Sequence, residues 1–196
     1  MTLLERDMNK KIFWFDVETT GLDPITQDIV QLAFIIEIDR KIAENQNLVM
    51  QPFNYETIDL EALKKHRRTV EEIKTYPDPR KVYTNLISIL DKYVDRYNTS
   101  DKFHNAGYNS KFDMEFLKQY FIKNGDSYFG SWFNYRSIDP LPLLHILDGM
   151  GSMSLENYQL ETVCKHFNIP IKAHDALSDI TATRELTKLI CSKYIK

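Results

Sequence analysis

The sequence predicts an α/β domain, a mixed central sheet flanked by helices, and three observations carry that prediction. Strand-like runs crowd the first fifty residues, a helical period takes over from about Thr57, and short strands recur between the later helices. Strands first, then alternation, require a sheet of mixed direction with helices packed on it.

Lys11 to Asp16 is an apolar, aromatic run ending in an acid, and Asp28 to Ile38 is rich in Ile, Val and Phe; both are expected strands. Between them, Thr19-Thr20-Gly21-Leu22-Asp23-Pro24 supplies the glycine and proline of a turn. A third strand is expected at Asn47 to Phe53, behind the polar stretch from Glu44, which completes a three-strand meander. Helices are expected at Ile58 to His66, at Val70 to Lys74 behind the N-cap Thr69, and at Pro79 to Arg96 behind Asp78. In the last of these, Val82, Leu86, Ile89, Leu90 and Tyr93 recur at three- and four-residue spacings and so face a core. Lys102 to His104 is a short strand, followed by a helix from Ser110 to Lys123 that Gly125 ends. Arg136 to Asp139 is a strand leading into a helix at Leu141 to Leu147. The Gly- and Ser-rich linker Asp148 to Ser154 then precedes helices at Leu160 to Phe167 and Ala176 to Tyr194.

A chain of 196 residues, 43% apolar and 27% charged, fits one folding unit. The expected division is an N-terminal extension at 1–10 and a single domain at 11–196. No apolar run approaches the roughly 20 residues that cross a bilayer, and Met1 to Lys10 is too charged for a secretory signal. Cys164 and Cys191 form no Cys-x-x-Cys pair, so neither a disulfide framework nor a thiolate zinc site is indicated. A cytoplasmic protein with no membrane partner is the expectation. With 25 Lys and Arg against 28 Asp and Glu, the formal charge of −3 provides no global field to gather polyanions. An acidic cluster that holds cations would bias the balance in this direction.

Carboxylates concentrate in three patches. In Asp16-Val17-Glu18, side chains two apart on a strand project to one face, with Cα atoms about 6.6 Å apart at roughly 3.3 Å per residue. That span can bracket two metal ions about 3.5–4 Å apart, although acids at a strand end are also commonly just solvated. In the second patch, Ser110 and Asp113 have the spacing of a capping box, while Asp113 shares an inward stripe with Phe116, Leu117 and Tyr120. A capping role and a metal role both fit. In the third, Asp179 lies on one stripe with Thr183, Leu186 and Ile190, and Asp175 has the position of the N-cap. His174 can join Asp179 only from the loop before the helix; a plain surface residue is the alternative. Four carboxylates gathered in one place would repel strongly, and two hard divalent ions would turn that repulsion into binding.

The three patches together resemble the DEDDh (DnaQ-like) group of 3′–5′ exonucleases, the group of the proofreading epsilon subunit of bacterial DNA polymerase III and of ribonuclease T. Phe15 to Gly21 resembles the first motif, His104 to Asp113 the second and His174 to Asp179 the third. A tyrosine four residues before Asp179 would mark the sister group, and that position is Asp175.

The resemblance implies a ribonuclease H-like fold and a metal-dependent phosphodiester hydrolase. Asp16, Glu18, Asp113 and Asp179 would be the metal ligands for two divalent cations, Mg²⁺ or Mn²⁺, and His174 the general base. Thr19, Thr20, Leu22 and Asn109 would hold the terminal nucleotide. The implied substrate is the 3′ end of single-stranded or frayed DNA, cut to nucleoside 5′-monophosphates, with RNA 3′-end trimming or a non-catalytic binding subunit as alternatives. A DNA polymerase partner and a homodimer are both arrangements found among such relatives. The chain stops soon after the last motif helix, which favours a freestanding enzyme over a docked subunit. The one dense basic cluster, Lys64-Lys65-His66-Arg67-Arg68, is either a solvated helix face or a phosphate contact.

Overall fold

The computed structural model describes residues 10–173 and 175–194. Nearly all of the expected 1–10 extension, residues 1–9, and His174 therefore lie outside the described residues. Three strands come first, β1 (Lys11–Thr19), β2 (Ile29–Ile38) and β3 (Lys41–Val49). Three helices follow, α1 (Leu60–Lys65), α2 (Val70–Ile73) and α3 (Pro79–Leu90). Then come β4 (Phe103–Ala106), α4 (Lys111–Lys123), α5 (Phe129–Trp132), β5 (Phe133–Ile138), α6 (Pro140–Gly149), α7 (Leu160–His166) and α8 (Ala176–Tyr194).

The strands form one sheet in the order β3-β2-β1-β4-β5. The first three run antiparallel as a meander, because short turns join them, whereas β4 and β5 add in parallel after helical crossovers. Alternation along β1 separates two layers. Phe13, Phe15 and Val17 pack with Phe116 and Leu117 of α4 and Leu86 and Leu90 of α3. On the opposite face Trp14 packs with Ala33 and Ile35 of β2 and with Ala176 and Ile180 of α8. The far side of α8, through Leu186 and Ile190, closes a third cluster with α6 and α7.

Several boundaries differ from the sequence reading, each for a physical reason. The third strand occupies Lys41–Val49 rather than 47–53, because Lys41 to Gln46, although mostly polar and exposed, pair in ladder with β2 as the sheet's outer strand. Helix α3 stops at Leu90, and Val94 reaches the core from the turns that follow. The short α5 and the early start of β5 at Phe133 come from an aromatic stretch whose Trp132 and Phe133 are buried. Among the described residues no helix is long and apolar enough to cross a membrane.

Candidate active site

Asp16 and Glu18 occupy alternate positions on β1 and so project to the face that α8 covers, opposite Ala33 and Gln31 of β2 in register. The first turn of α8 is pinned there by Ala176 and Ile180 against Trp14 and Ala33, which brings Asp179 to the same spot. One ligand atom from each of Asp16, Glu18 and Asp179 lies within 4.8 Å of the other two. The inward stripe expected for α8 is as read: Thr183, Leu186 and Ile190 are buried. Asp175 caps the helix, its Oδ1 accepting from the Ser178 N–H at 3.1 Å and its carbonyl from the Asp179 N–H at 2.9 Å.

Asp113 enters from the other edge of β1. It is buried on the first turn of α4, on one stripe with Phe116, Leu117 and Tyr120, and its Oδ1 accepts the backbone N–H of Val17 at 3.0 Å. The capping-box reading does not hold. Ser110 is itself in helical conformation, with φ −59° and ψ −10°, and its hydroxyl caps nothing. The turn before α4 is closed instead by Asp139, whose carboxylate accepts the N–H groups of Asn109 at 3.2 Å and Ser110 at 3.0 Å while capping α6 through Leu141 at 3.0 Å. Released from capping, the Asp113 carboxylate serves β1.

Burial and mutual repulsion dominate the electrostatics. Burial, then the charges of Asp113, Glu18 and Asp179, raises the Asp16 carboxyl well above its ordinary range. Burial and Asp179 push Glu18 up to about 8, partly opposed by the Arg68 guanidinium. Burial also lifts Asp113 to about 7, against the lowering effect of its hydrogen bond from Val17. A group of hard oxygen donors that resists ionisation alone is a fitting receptor for divalent cations, which would draw off the protons and compensate the charge.

The four residues expected to hold a nucleotide divide into two pairs. Leu22, 72% exposed, and Asn109, held at φ +53°, line one cavity of about 310 Å³ with Pro24, Lys111, Phe112, Glu115 and Phe116. Thr19 and Thr20 are buried, and their hydroxyls shape the loop: Thr19 Oγ1 donates to the Gly21 carbonyl at 2.6 Å and Thr20 Oγ1 accepts the Asp28 N–H at 2.9 Å.

Sequence reasoning missed four supporting residues: Asp139, His66, Arg68 and Gln31. Asp139 was open to discovery, since an acid immediately before Pro140 has the form of an N-cap. His66 belongs to the basic run read as either a solvated helix face or a phosphate contact, yet it is buried, with Nε2 3.0 Å from the Thr19 carbonyl. Arg68 turns inward as well, donating to Gln31 Oε1 and to the Tyr76 hydroxyl. Nothing in the spacing of five consecutive polar residues separates those that point in from those that point out.

The exonuclease family model (RNase_T) matches residues 13–187. DNA polymerase III PolC-type of Halalkalibacterium halodurans is 28% identical over 173 residues, covering 88% of this chain and 11% of that protein. Among solved structures, E. coli exonuclease I in complex with a 5cy-dA13 oligonucleotide superposes with a TM-score of 0.76 at 18% identity, over 94% of this chain and 41% of that one. The zinc ion bound form of the E. coli exonuclease I–ssDNA complex gives 0.78 at 19% identity, over 95% and 41%. These likenesses identify the fold as ribonuclease H-like. The chain spans less than half the length of each of these relatives.

Proposed function

Since this chain belongs to the exonuclease family whose model spans residues 13–187, we propose that it removes nucleotides from the 3′ end of single-stranded or frayed DNA, releasing nucleoside 5′-monophosphates. The observation that carries the proposal is the convergence of Asp16, Glu18 and Asp179 within 4.8 Å, with Asp113 close enough to raise the Asp16 carboxyl by its charge. Asp16, Glu18, Asp113 and Asp179 would hold two divalent cations, Mg²⁺ or Mn²⁺, by oxygen ligation. Such ions, when bound, neutralise charge on the phosphoryl oxygens and make water a better nucleophile.

The chain's own residues do the rest. Leu22, Asn109 and Phe112 offer the terminal nucleoside a largely apolar cavity at the start of α4, the helix whose first turn carries Asp113. Thr19 and Thr20 hold the loop that presents Leu22. His174 accepts the proton of the attacking water as oxygen adds to phosphorus; the bond to the leaving 3′-oxygen then breaks, and that oxygen takes up a proton from solvent while His174 later releases its own. A histidine has an ordinary pKa of about 6.5, suited to a base near neutrality. The PolC-type relative and the deoxyoligonucleotides bound by exonuclease I support DNA over RNA as substrate. The same relative supports a DNA polymerase as partner.

The test is a digestion of matched DNA and RNA oligomers labelled at the 3′ or 5′ end, with Mg²⁺, Mn²⁺ or chelator. Expected are metal-dependent mononucleotides released stepwise from DNA 3′ ends. Faster digestion of RNA would reassign the substrate, and failure to release mononucleotides with any ion would overturn the enzymatic reading.

A further inference from the structure

We propose that a cationic pocket formed by Gln31, Arg67, Arg68 and Lys172, beside the acid cluster, binds the backbone phosphate on the 5′ side of the phosphodiester being cut. The proposal rests on the exonuclease reading and deepens it.

The position follows from the sheet. Strand β1 is flanked on one side by the N-terminal turn of α4, bearing Asp113 and the Leu22–Phe112 cavity, and on the other by β2, where Gln31 sits opposite Glu18 in register. The acids thus lie between a largely apolar cavity suited to a nucleoside and the pocket lined by Gln31, His66, Arg67, Arg68, Glu72, Lys172, Ala173 and Asp175. At about 210 Å³ this pocket is smaller than the roughly 300 Å³ at which organic ligand sites begin, but a phosphate group fits. A strand whose terminal nucleoside fills the first and whose scissile phosphate lies over the acids continues toward the second.

The chemistry of the lining suits an anion. Arg68 is held rigidly by Gln31 and Tyr76, and its Nε–H is buried with no partner among the described residues. Its acidic neighbour Glu72 stands 3.7 Å away and is 45% exposed. Lys172 and Asp175 are also 3.7 Å apart, in a solvated pair that contributes little and would release the ammonium readily. Arg67 stands where a glycine is preferred. The N–H of Arg67 bonds the Lys64 carbonyl at 3.1 Å and that of Arg68 bonds the Leu63 carbonyl at 3.0 Å, a Schellman turn ending α1 that puts Arg67 at φ +59°. A side chain in that conformation is strained relative to glycine, and Arg67 is an exposed residue of the pocket lining beside the rigidly held Arg68.

The experiment compares Arg67→Gly, Lys172→Gln and the double variant with the wild-type protein. Binding of a fluorescent single-stranded oligodeoxynucleotide is measured by anisotropy with chelator present, across a salt series, and cleavage is measured separately with Mg²⁺. A second oligonucleotide carries an uncharged methylphosphonate at the linkage 5′ to the one cut. Arg67→Gly relieves the strained turn, so its melting temperature should not fall while its Kd rises. The slope of log affinity against log salt should shrink by about 0.7 for each phosphate no longer neutralised. The methylphosphonate should weaken binding to the wild-type protein and have little further effect on the double variant. Unchanged Kd and salt slope in both single variants, or an equal methylphosphonate penalty in wild-type and double variant, would overturn the phosphate site. A wild-type protein that binds but never releases mononucleotides would instead overturn the exonuclease reading.

Discussion

The backbone N–H of Val17 donates a 3.0 Å hydrogen bond to the Asp113 carboxylate, tying the strand that carries two of the acids to the helix that carries a third. One oxygen of Asp113 is thereby committed to the fold. Asp113→Ala leaves a buried N–H without an acceptor, which should destabilise the protein by about 1–3 kcal/mol and reduce turnover by orders of magnitude. Asp113→Asn retains an acceptor for Val17 but not the charge. It should melt within a few degrees of wild type and still lose turnover, and an active Asp113→Asn enzyme would remove Asp113 from the ligand set.

Raised carboxyl pKa values make the metal-free protein pH-sensitive in a definite direction. Glu18 is moved from 4.5 to about 8 and Asp113 from 3.8 to about 7, so the folded protein binds protons that the unfolded chain has released. A group whose folded pKa is raised stabilises fully below its unfolded value and loses that contribution as pH climbs through the folded one. In chelator, the melting temperature should therefore fall between about pH 4 and about pH 8. Glu18→Gln should flatten the fall. Added Mg²⁺ or Mn²⁺ should raise the melting temperature more near pH 8 than near pH 5, because at the higher pH fewer protons have to be displaced. Calorimetric scans that rise with pH in chelator would contradict the electrostatic account.

The legible part of the site was the part set by local periodicity. Asp16 and Glu18 share a face because strands alternate, and Asp113 and Asp179 point inward because Phe116, Leu117, Thr183 and Leu186 define buried stripes on their helices. The N-cap Asp175 was legible for the same local reason. What escaped was set by tertiary pairing. The largely polar segment Lys41 to Gln46 becomes strand because β2 offers a ladder, and Ser110, itself helical in conformation, gives its N–H to Asp139, 29 residues on, rather than capping α4. The inward turn of His66 and Arg68 depends on the Thr19 carbonyl and on Gln31, which no window around the basic cluster contains.

The buried pair between Arg184 and Glu37 fastens α8 to β2 away from the acids. Arg184 Nε donates to Glu37 Oε2 at 2.5 Å, both side chains are at most 10% exposed, and Lys188 adds a second cation at 3.5 Å. Glu37→Ala would strand a buried guanidinium whose remaining partner is the more exposed Glu185 at 2.8 Å. A loss of about 3 kcal/mol is expected, with KM unchanged because the acid cluster is not touched. Replacing both residues by methionine should recover most of that stability. Denaturant titration with steady-state kinetics reads both quantities, and a KM change without a stability loss would refute this division.

The loop that presents Leu22 is organised by Gln27, and Gly21 makes room for it. Gln27 Nε2 donates to the Thr20 carbonyl at 3.2 Å and the Thr57 carbonyl at 2.9 Å, while its Oε1 accepts the Asp23 N–H at 2.8 Å. A Cβ at Gly21 would lie 1.8 Å from that Nε2, so Gly21→Ala must expel the amide and break all three bonds. Asp16, Glu18 and Asp179 are not part of this network, so KM should rise while kcat falls much less. Gln27→Ala removes the same three bonds without a clash and should give a similar KM. The double variant should be clearly less impaired than the sum of the two, because the amide that the added methyl would strike is gone. Additive effects would mean that Gly21 matters for its own backbone freedom rather than for the space it leaves to Gln27.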